Sequence, residues 1–192
     1  MRLVIVDGLD GSGKDTQAQL IKIKYEKKGE RICIRSHPED DNYYGKKAKK
    51  SLLEKGKINK IKASIFYMMD VLHSIRKYHD PDKYDTIIMV RYLVGTAYLP
   101  KKFVKISYNF FKKFVPTSNY MFFLDTSPEV LLKRVEGRNE KEIFETYEGF
   151  VEVRNKALSI VQDWHIIDAS SSIEDVFSKI DKILDSTDLK SN

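Results

Sequence analysis

The sequence is poor in the residues that build special frameworks. Its 192 residues include a single cysteine, Cys33, so no internal disulfide holds the chain together. The four histidines show no metal-ligand spacing and no Cys/His cluster exists, which excludes a zinc module. Five prolines and nine glycines form no Pro/Gly-rich linker, and neither repeats nor low-complexity segments occur. No apolar run reaches the roughly 18 residues that a membrane span needs. The chain opens on "RLVIVDG", a strand pattern without the layout of a signal peptide, so a cytoplasmic protein without membrane partners is expected. Cys33 lies in the apolar run "RICIR" and is expected to be a buried core residue rather than a reactive thiol.

What is present describes one globular α/β domain. Hydrophobic residues make up 42% and charged residues 32%, enough to bury a core at this length. Lysine and arginine exceed aspartate and glutamate, 34 to 28, for a net charge of +6. That charge admits nucleic-acid binding, but the lysines are scattered and no aromatic–basic array appears. A lysine-rich surface around a small anionic ligand is the better reading, with no nucleic-acid partner.

Five short apolar runs are continuous rather than alternating, as buried parallel strands are: "LVIVD" (3–7), "RICIR" (31–35), "TIIMV" (86–90), "YMFFLD" (120–125) and "HIIDA" (165–169). Helical patterns lie between and after them, near 15–28, 45–55, 59–79, 102–113, 128–137, 144–162 and 172–184. In the first, Thr16, Leu20 and Ile23 share a face and Gly29 offers a C-cap. In the last, Ser171 and Glu174 suit a capping box, and the terminal "DSTDLKSN" is expected to fray. Alternating strands and helices predict an open five-stranded parallel sheet covered by helices on both faces. Ligands of such sheets bind beyond the carboxyl ends of the strands, where Asp7, Arg35, Arg91, Asp125 and Asp168 fall.

One loop carries specific chemistry. "GLDGSGK" (8–14) fits G-x-x-x-x-G-K, after a strand and before a helix, as a phosphate-binding loop must be. Gly8, Gly11, Ser12 and Gly13 let backbone N–H groups turn toward phosphate oxygens, the helix start adds its dipole, and Lys14 reaches the outer phosphates. The next position normally holds a Ser or Thr hydroxyl for Mg²⁺; here it is Asp15, with Thr16 one residue further. A carboxylate is a good Mg²⁺ ligand, but without the metal its charge opposes phosphate.

"VDGLDGSGKDTQ" resembles the opening of the thymidylate kinase family of P-loop nucleoside monophosphate kinases. "RSHPEDD", "SIFYMMDVLH", "VRYLVGTAY", "FLDTSPEVLLKRVEGR" and "IIDASSSIEDV" match later family segments in order, covering essentially the whole chain. The resemblance implies a P-loop NTPase three-layer fold in a single domain with a short lid at about 137–146. It implies transfer of the ATP γ-phosphoryl group to a deoxynucleoside monophosphate, dTMP first, with Mg²⁺, in a homodimer. Lys14, Arg91 and Arg138 would then be catalytic. Arg35 and Arg91 would hold the acceptor phosphate, Asp10 the sugar 3′-hydroxyl, Phe66 the base, and Tyr98 the edge that disfavours a 2′-hydroxyl. Arg134 and Arg138 would close from the lid, and Ala169 and Ser170 would flank adenine. Phe66, Tyr98 and the lid arginines also admit plain packing or surface roles.

Three positions depart from the family. Asp15 replaces the loop hydroxyl, and Val90 stands where the family has an aspartate that organises Mg²⁺. One carboxylate is lost and another gained, so Asp15 taking over part of the metal role is one hypothesis. Decayed metal handling, leaving a nucleotide-binding protein with little or no turnover, is the other. Asp125 is a weaker substitute, or else a helix N-cap. Asp70 occupies the place of an arginine that faces the pyrimidine. A carboxylate only accepts hydrogen bonds, so it would suit the amino group of dCMP; alternatively it pairs with Arg35 or Arg91. The lid is also thin, with Ile143 where some relatives carry a further arginine.

Overall fold

The computed structural model describes residues 1–53, 57–136 and 146–191. Its five strands are β1 (Arg2–Gly8), β2 (Ile32–Ser36), β3 (Thr86–Val90), β4 (Tyr120–Asp125) and β5 (His165–Asp168). All pair in parallel, in the order β2-β3-β1-β4-β5. Five apolar runs therefore give five strands, and this is the P-loop NTPase arrangement. β1 lies at the centre, with Ile5 opposite Met89 on one side and Met121 on the other. The helices are α1 (Lys14–Glu26), α2 (Tyr43–Leu53), α3 (Lys57–Tyr78), α4 (Lys101–Lys112), α5 (Pro128–Val135), α6 (Tyr147–Leu158) and α7 (Ile173–Ser191).

Two-residue alternation divides the core into two layers. Ile5, Ile87, Met89, Met121 and Phe123 face α3, α4, α5 and α6, where they meet Met68, Val71, Val104, Tyr108, Leu131 and Phe150. Val4, Val6, Ile88, Val90, Phe122 and Leu124 face α1 and α7, where they meet Ala18, Ile21, Val176 and Ile180. Cys33 belongs to the first layer as a buried thiol. Away from the strand carboxyl ends, Arg2 binds Glu30 at 2.6 Å and Asp188 at 3.0 Å, tying β1 to α7.

Four local expectations change. The buried face of α1 is Gln17, Ala18, Ile21 and Tyr25, while Thr16 and Ile23 are exposed, because the helix presents the 17/21 stripe to the sheet. α7 is capped by Ser172, which accepts from the Asp175 N–H at 3.1 Å, not by Ser171. The helix continues to Ser191 rather than fraying, because Asp188 is held by Arg2 and Tyr120. A short 3-10 helix, Val94–Tyr98, follows β3 where no helix was expected. Elsewhere the caps are local: Ser127 opens α5 and Thr146 opens α6, and Gly29 adopts φ 83° after α1. No described helix is long and apolar enough to cross a membrane.

Phe123 is fully buried at the heart of the first layer. Phe123→Ala is expected to cost about 3–5 kcal/mol, read as a lowered urea midpoint.

Candidate active site

The phosphate loop joins β1 to α1. Gly8 must be glycine because the chain passes closely over β4: a Cβ there would sit 2.6 Å from Ser12 Oγ and 2.7 Å from the Leu124 carbonyl. Lys14 is buried and already points inward, donating to the Leu9 carbonyl at 2.6 Å and lying 3.7 Å from Asp10. Burial lowers its pKa; Asp10 opposes that shift and Arg91 adds to it.

Two clefts open at the carboxyl ends of the strands. One follows the phosphate loop and is lined by Gly11, Ser12, Gly13, Lys14, Asp15 and Thr16, with Arg134, Ala169 and Ser171 on its far wall. Arg134 reaches over it from α5 to the Gly11 carbonyl at 3.3 Å. The other cleft runs between α3 and the 3-10 helix and is lined by Gly8, Asp10, Pro38, Tyr67, Gly95 and Tyr98, among others. Tyr98 donates to Asp10 at 2.8 Å on its wall. The Tyr67 ring lies so close to Gly95 that a Cβ there would come within 3.1 Å of it. Arg91 lines both clefts.

Arg91 is held from two sides. Its own φ is 58°, a left-handed conformation that a non-glycine residue adopts only under restraint. The restraint is Asp7, one of whose oxygens accepts from the N–H groups of Tyr92, Leu93 and Val94 at 2.8, 3.1 and 3.0 Å. Its other oxygen accepts from Gly8 at 2.9 Å. At its tip, the Arg91 guanidinium meets both Asp15 oxygens, at 3.2 and 3.1 Å, and Ser36 Oγ at 2.9 Å. Burial works against both charges, but each stabilises the other: Asp15 stays below the usual carboxylate range and Arg91 is raised.

Lys14, Arg91, Asp10, Tyr98, Arg134 and the phosphate-loop residues therefore converge. Other expected residues lie elsewhere. Arg35 lines neither cleft; the acids of "EDD" have captured it, with Asp41 at 2.8 and 3.0 Å and Glu39 at 3.5 Å. Phe66 turns away to meet the Tyr43 ring, and the neighbouring Tyr67, a helical step of about 100° around α3, faces the cleft instead. Asp70 is fully buried outside both clefts, accepting from the Glu39 N–H at 2.8 Å and Asn42 at 2.6 Å, so it pairs with neither arginine and anchors the loop after β2. Asp125 is bound bidentately by Arg154 at 2.6 and 2.7 Å, and Ser127 caps α5 in its place. Ser171 rather than Ser170 lines the phosphate-loop cleft beside Ala169. Arg138, Ile143 and the lid at 137–145 lie outside the described residues. Sequence reasoning missed Ser36 and Tyr67 as site residues and saw in Asp7 only a polar strand end.

The residues that would organise a resident metal do not fit one. Val90 is buried in the apolar layer against α1, Asp15 is committed to Arg91 and Ser36, and no group of three or more acidic, His or Cys side chains suited to a metal occurs among the described residues.

Comparison with known proteins gives the same assignment as the loop. The thymidylate kinase family model matches residues 6–180. The chain belongs to the thymidylate kinase family. It is thus a nucleoside monophosphate kinase, of a family that uses ATP and typically a divalent metal. It is 26% identical over 197 residues to a probable thymidylate kinase of Archaeoglobus fulgidus, covering 99% of this chain and 98% of that one. It is 28% identical over 195 residues to the thymidylate kinase of Schizosaccharomyces pombe, covering 93% and 89%. The fold superimposes on that of a Candida albicans thymidylate kinase with a TM-score of 0.77 at 18% identity, over 97% of this chain and 92% of that one.

A lysine whose pKa is lowered loses its charge earlier as pH rises. The kcat/KM for ATP, which reports the free enzyme, is therefore expected to fall on the alkaline side at a pH below the ordinary lysine value of 10.5. In Lys14→Arg any residual activity should lack that limb, because arginine keeps its proton.

Proposed function

We propose that this kinase phosphorylates dTMP to dTDP with ATP, taken up as its Mg²⁺ complex. The observation that carries the reading is Arg91, a fixed cation lining both the phosphate-loop cleft and the cleft beside it. Phosphoryl transfer needs such a group, because charge builds on the moving phosphoryl oxygens between donor and acceptor. In this reading ATP lies with its phosphates over Gly11–Thr16, its adenine toward Ala169 and its outer phosphates against Lys14. The monophosphate enters the second cleft, its sugar at Asp10 and Tyr98 and its base beside Tyr67. An oxygen of the acceptor phosphate attacks the γ-phosphorus, the bond to the bridging β–γ oxygen breaks, and ADP leaves with that electron pair. Arg91 and Lys14 neutralise the transferred group, and Arg134 joins them across the phosphate loop, with Arg138 in the lid. The thymidylate kinase names of the relatives favour dTMP over dCMP, and the buried position of Asp70 removes the reason to prefer dCMP.

A homodimer in the cytoplasm belongs to the same proposal. Ile61 and Ile65 on α3, and Phe103, Ile106 and Phe110 on α4, are exposed apolar side chains of the kind a partner covers. Sedimentation should give a dimer, and Ile106→Glu with Phe110→Glu a monomer if α4 forms the contact.

The function is tested by ADP release with dTMP, dUMP, dCMP, dGMP and UMP, with and without Mg²⁺. Turnover should be at least about tenfold faster with dTMP than with dCMP and should require the metal, and Arg91→Ala should lower kcat by about 10³ or more. No ADP release with any monophosphate would overturn the proposal.

A further inference from the structure

We propose that Asp15 is a positioning residue for Arg91, not a ligand of the metal. The inference rests on the kinase reading above and concerns the residue that departs from the family at the first turn of α1. Both Asp15 oxygens are committed. One accepts from Ser36 Oγ at 2.7 Å and from Arg91 Nη1 at 3.2 Å; the other faces Arg91 Nη2 at 3.1 Å. Arg91 Nη1 also donates to Ser36 at 2.9 Å. Residues of α1, of β2 and of the turn after β3 thus close a triangle of hydrogen bonds around one guanidinium. A cation at either oxygen would compete with the Arg91 charge for the same carboxylate.

The triangle completes what Asp7 begins. Asp7 fixes the backbone just beyond Arg91, and Asp15 fixes the far tip of the same side chain. The bonds to Asp15 and Ser36 occupy the Nη1/Nη2 side of the fork. The Nε side is turned toward Asp10, 4.0 Å away on the wall of the acceptor cleft. A guanidinium presents five N–H donors in a rigid plane, so holding one edge aims the other. A serine or threonine hydroxyl at position 15 could not make the two-point charged contact that a carboxylate makes. Arg91 is therefore oriented before any nucleotide arrives, and its freedom is not lost at the moment of binding.

The test uses Asp15→Asn, which keeps one acceptor oxygen, Asp15→Ser, which restores the usual family residue type, and Ser36→Ala. The first readout is ¹⁵N NMR of the arginine guanidinium groups in the protein without nucleotide or metal, with Arg91 assigned from Arg91→Lys. Slowly exchanging, resolved Nη signals of Arg91 are expected in the wild type, weakened in Asp15→Asn and Ser36→Ala, and lost in Asp15→Ser. The second readout is steady-state kinetics, where Asp15→Ser should lower kcat/KM for dTMP by roughly tenfold or more, with Asp15→Asn between. The half-saturating Mg²⁺ concentration should not rise in Asp15→Asn. Unchanged Arg91 signals in Asp15→Ser would overturn the proposal. So would an Mg²⁺ requirement raised about tenfold or more in Asp15→Asn, or faster turnover of that variant. If the wild type turns over no monophosphate, the functional reading fails, and the NMR arm still decides the positioning role.

Discussion

The carboxylate of Asp7 is the point on which the site hangs. It is buried at the end of the central strand, and four backbone N–H groups converge on it: one from Gly8, where the phosphate loop begins, and three from the turn after β3. A buried carboxylate without donors would be costly, and four donors are ample compensation. The bonds also fasten together the two segments that must cooperate. The phosphate loop and the arginine-bearing turn belong to adjacent strands, and Asp7 sets their relative height. The left-handed Arg91 and the 3-10 helix behind it are both consequences of that attachment.

The architecture was legible because it follows from short-range regularities. Continuous apolar runs as short and as rich in β-branched and aromatic residues as "TIIMV" and "YMFFLD" suit strands buried on both faces, and helices between them favour parallel pairing. The phosphate loop was legible because its chemistry depends on local spacing alone. The 3-10 helix was not, because its capping carboxylate lies 85 positions earlier in the chain and no local pattern announces it. The face of α1 was misread for a similar reason: Gln17 and Lys14 are polar yet buried, since the loop and α7 surround them.

The second cleft was the least legible part. Strand position correctly brought Arg35 to the right edge of the sheet, but position says nothing of which neighbours claim a side chain. Asp41 holds Arg35 and is itself kept well below the usual carboxylate range, first by that arginine's hydrogen bonds and further by Asn42 and Tyr78. Asp70 likewise satisfies two donors of the same loop. The residues "HPEDDN" therefore form a self-contained polar clamp that draws both charges out of the cleft. A single step around α3 then exchanges Phe66 for Tyr67, a difference below what helical periodicity resolves without the packing around it.

The contact between Tyr67 and Gly95 carries a consequence for how such a cleft could diversify. A Cβ at position 95 would meet the ring at 3.1 Å, tighter than ordinary van der Waals contact. The place of the Tyr67 wall of the second cleft is thus set in part by the missing Cβ of Gly95. Gaining that carbon would force the ring to shift by a few tenths of an ångström without altering any charged group. In the proposed reading, the fit of the base and the phosphate chemistry are thus set at separate places of the chain, so the first can be retuned while the second is left alone.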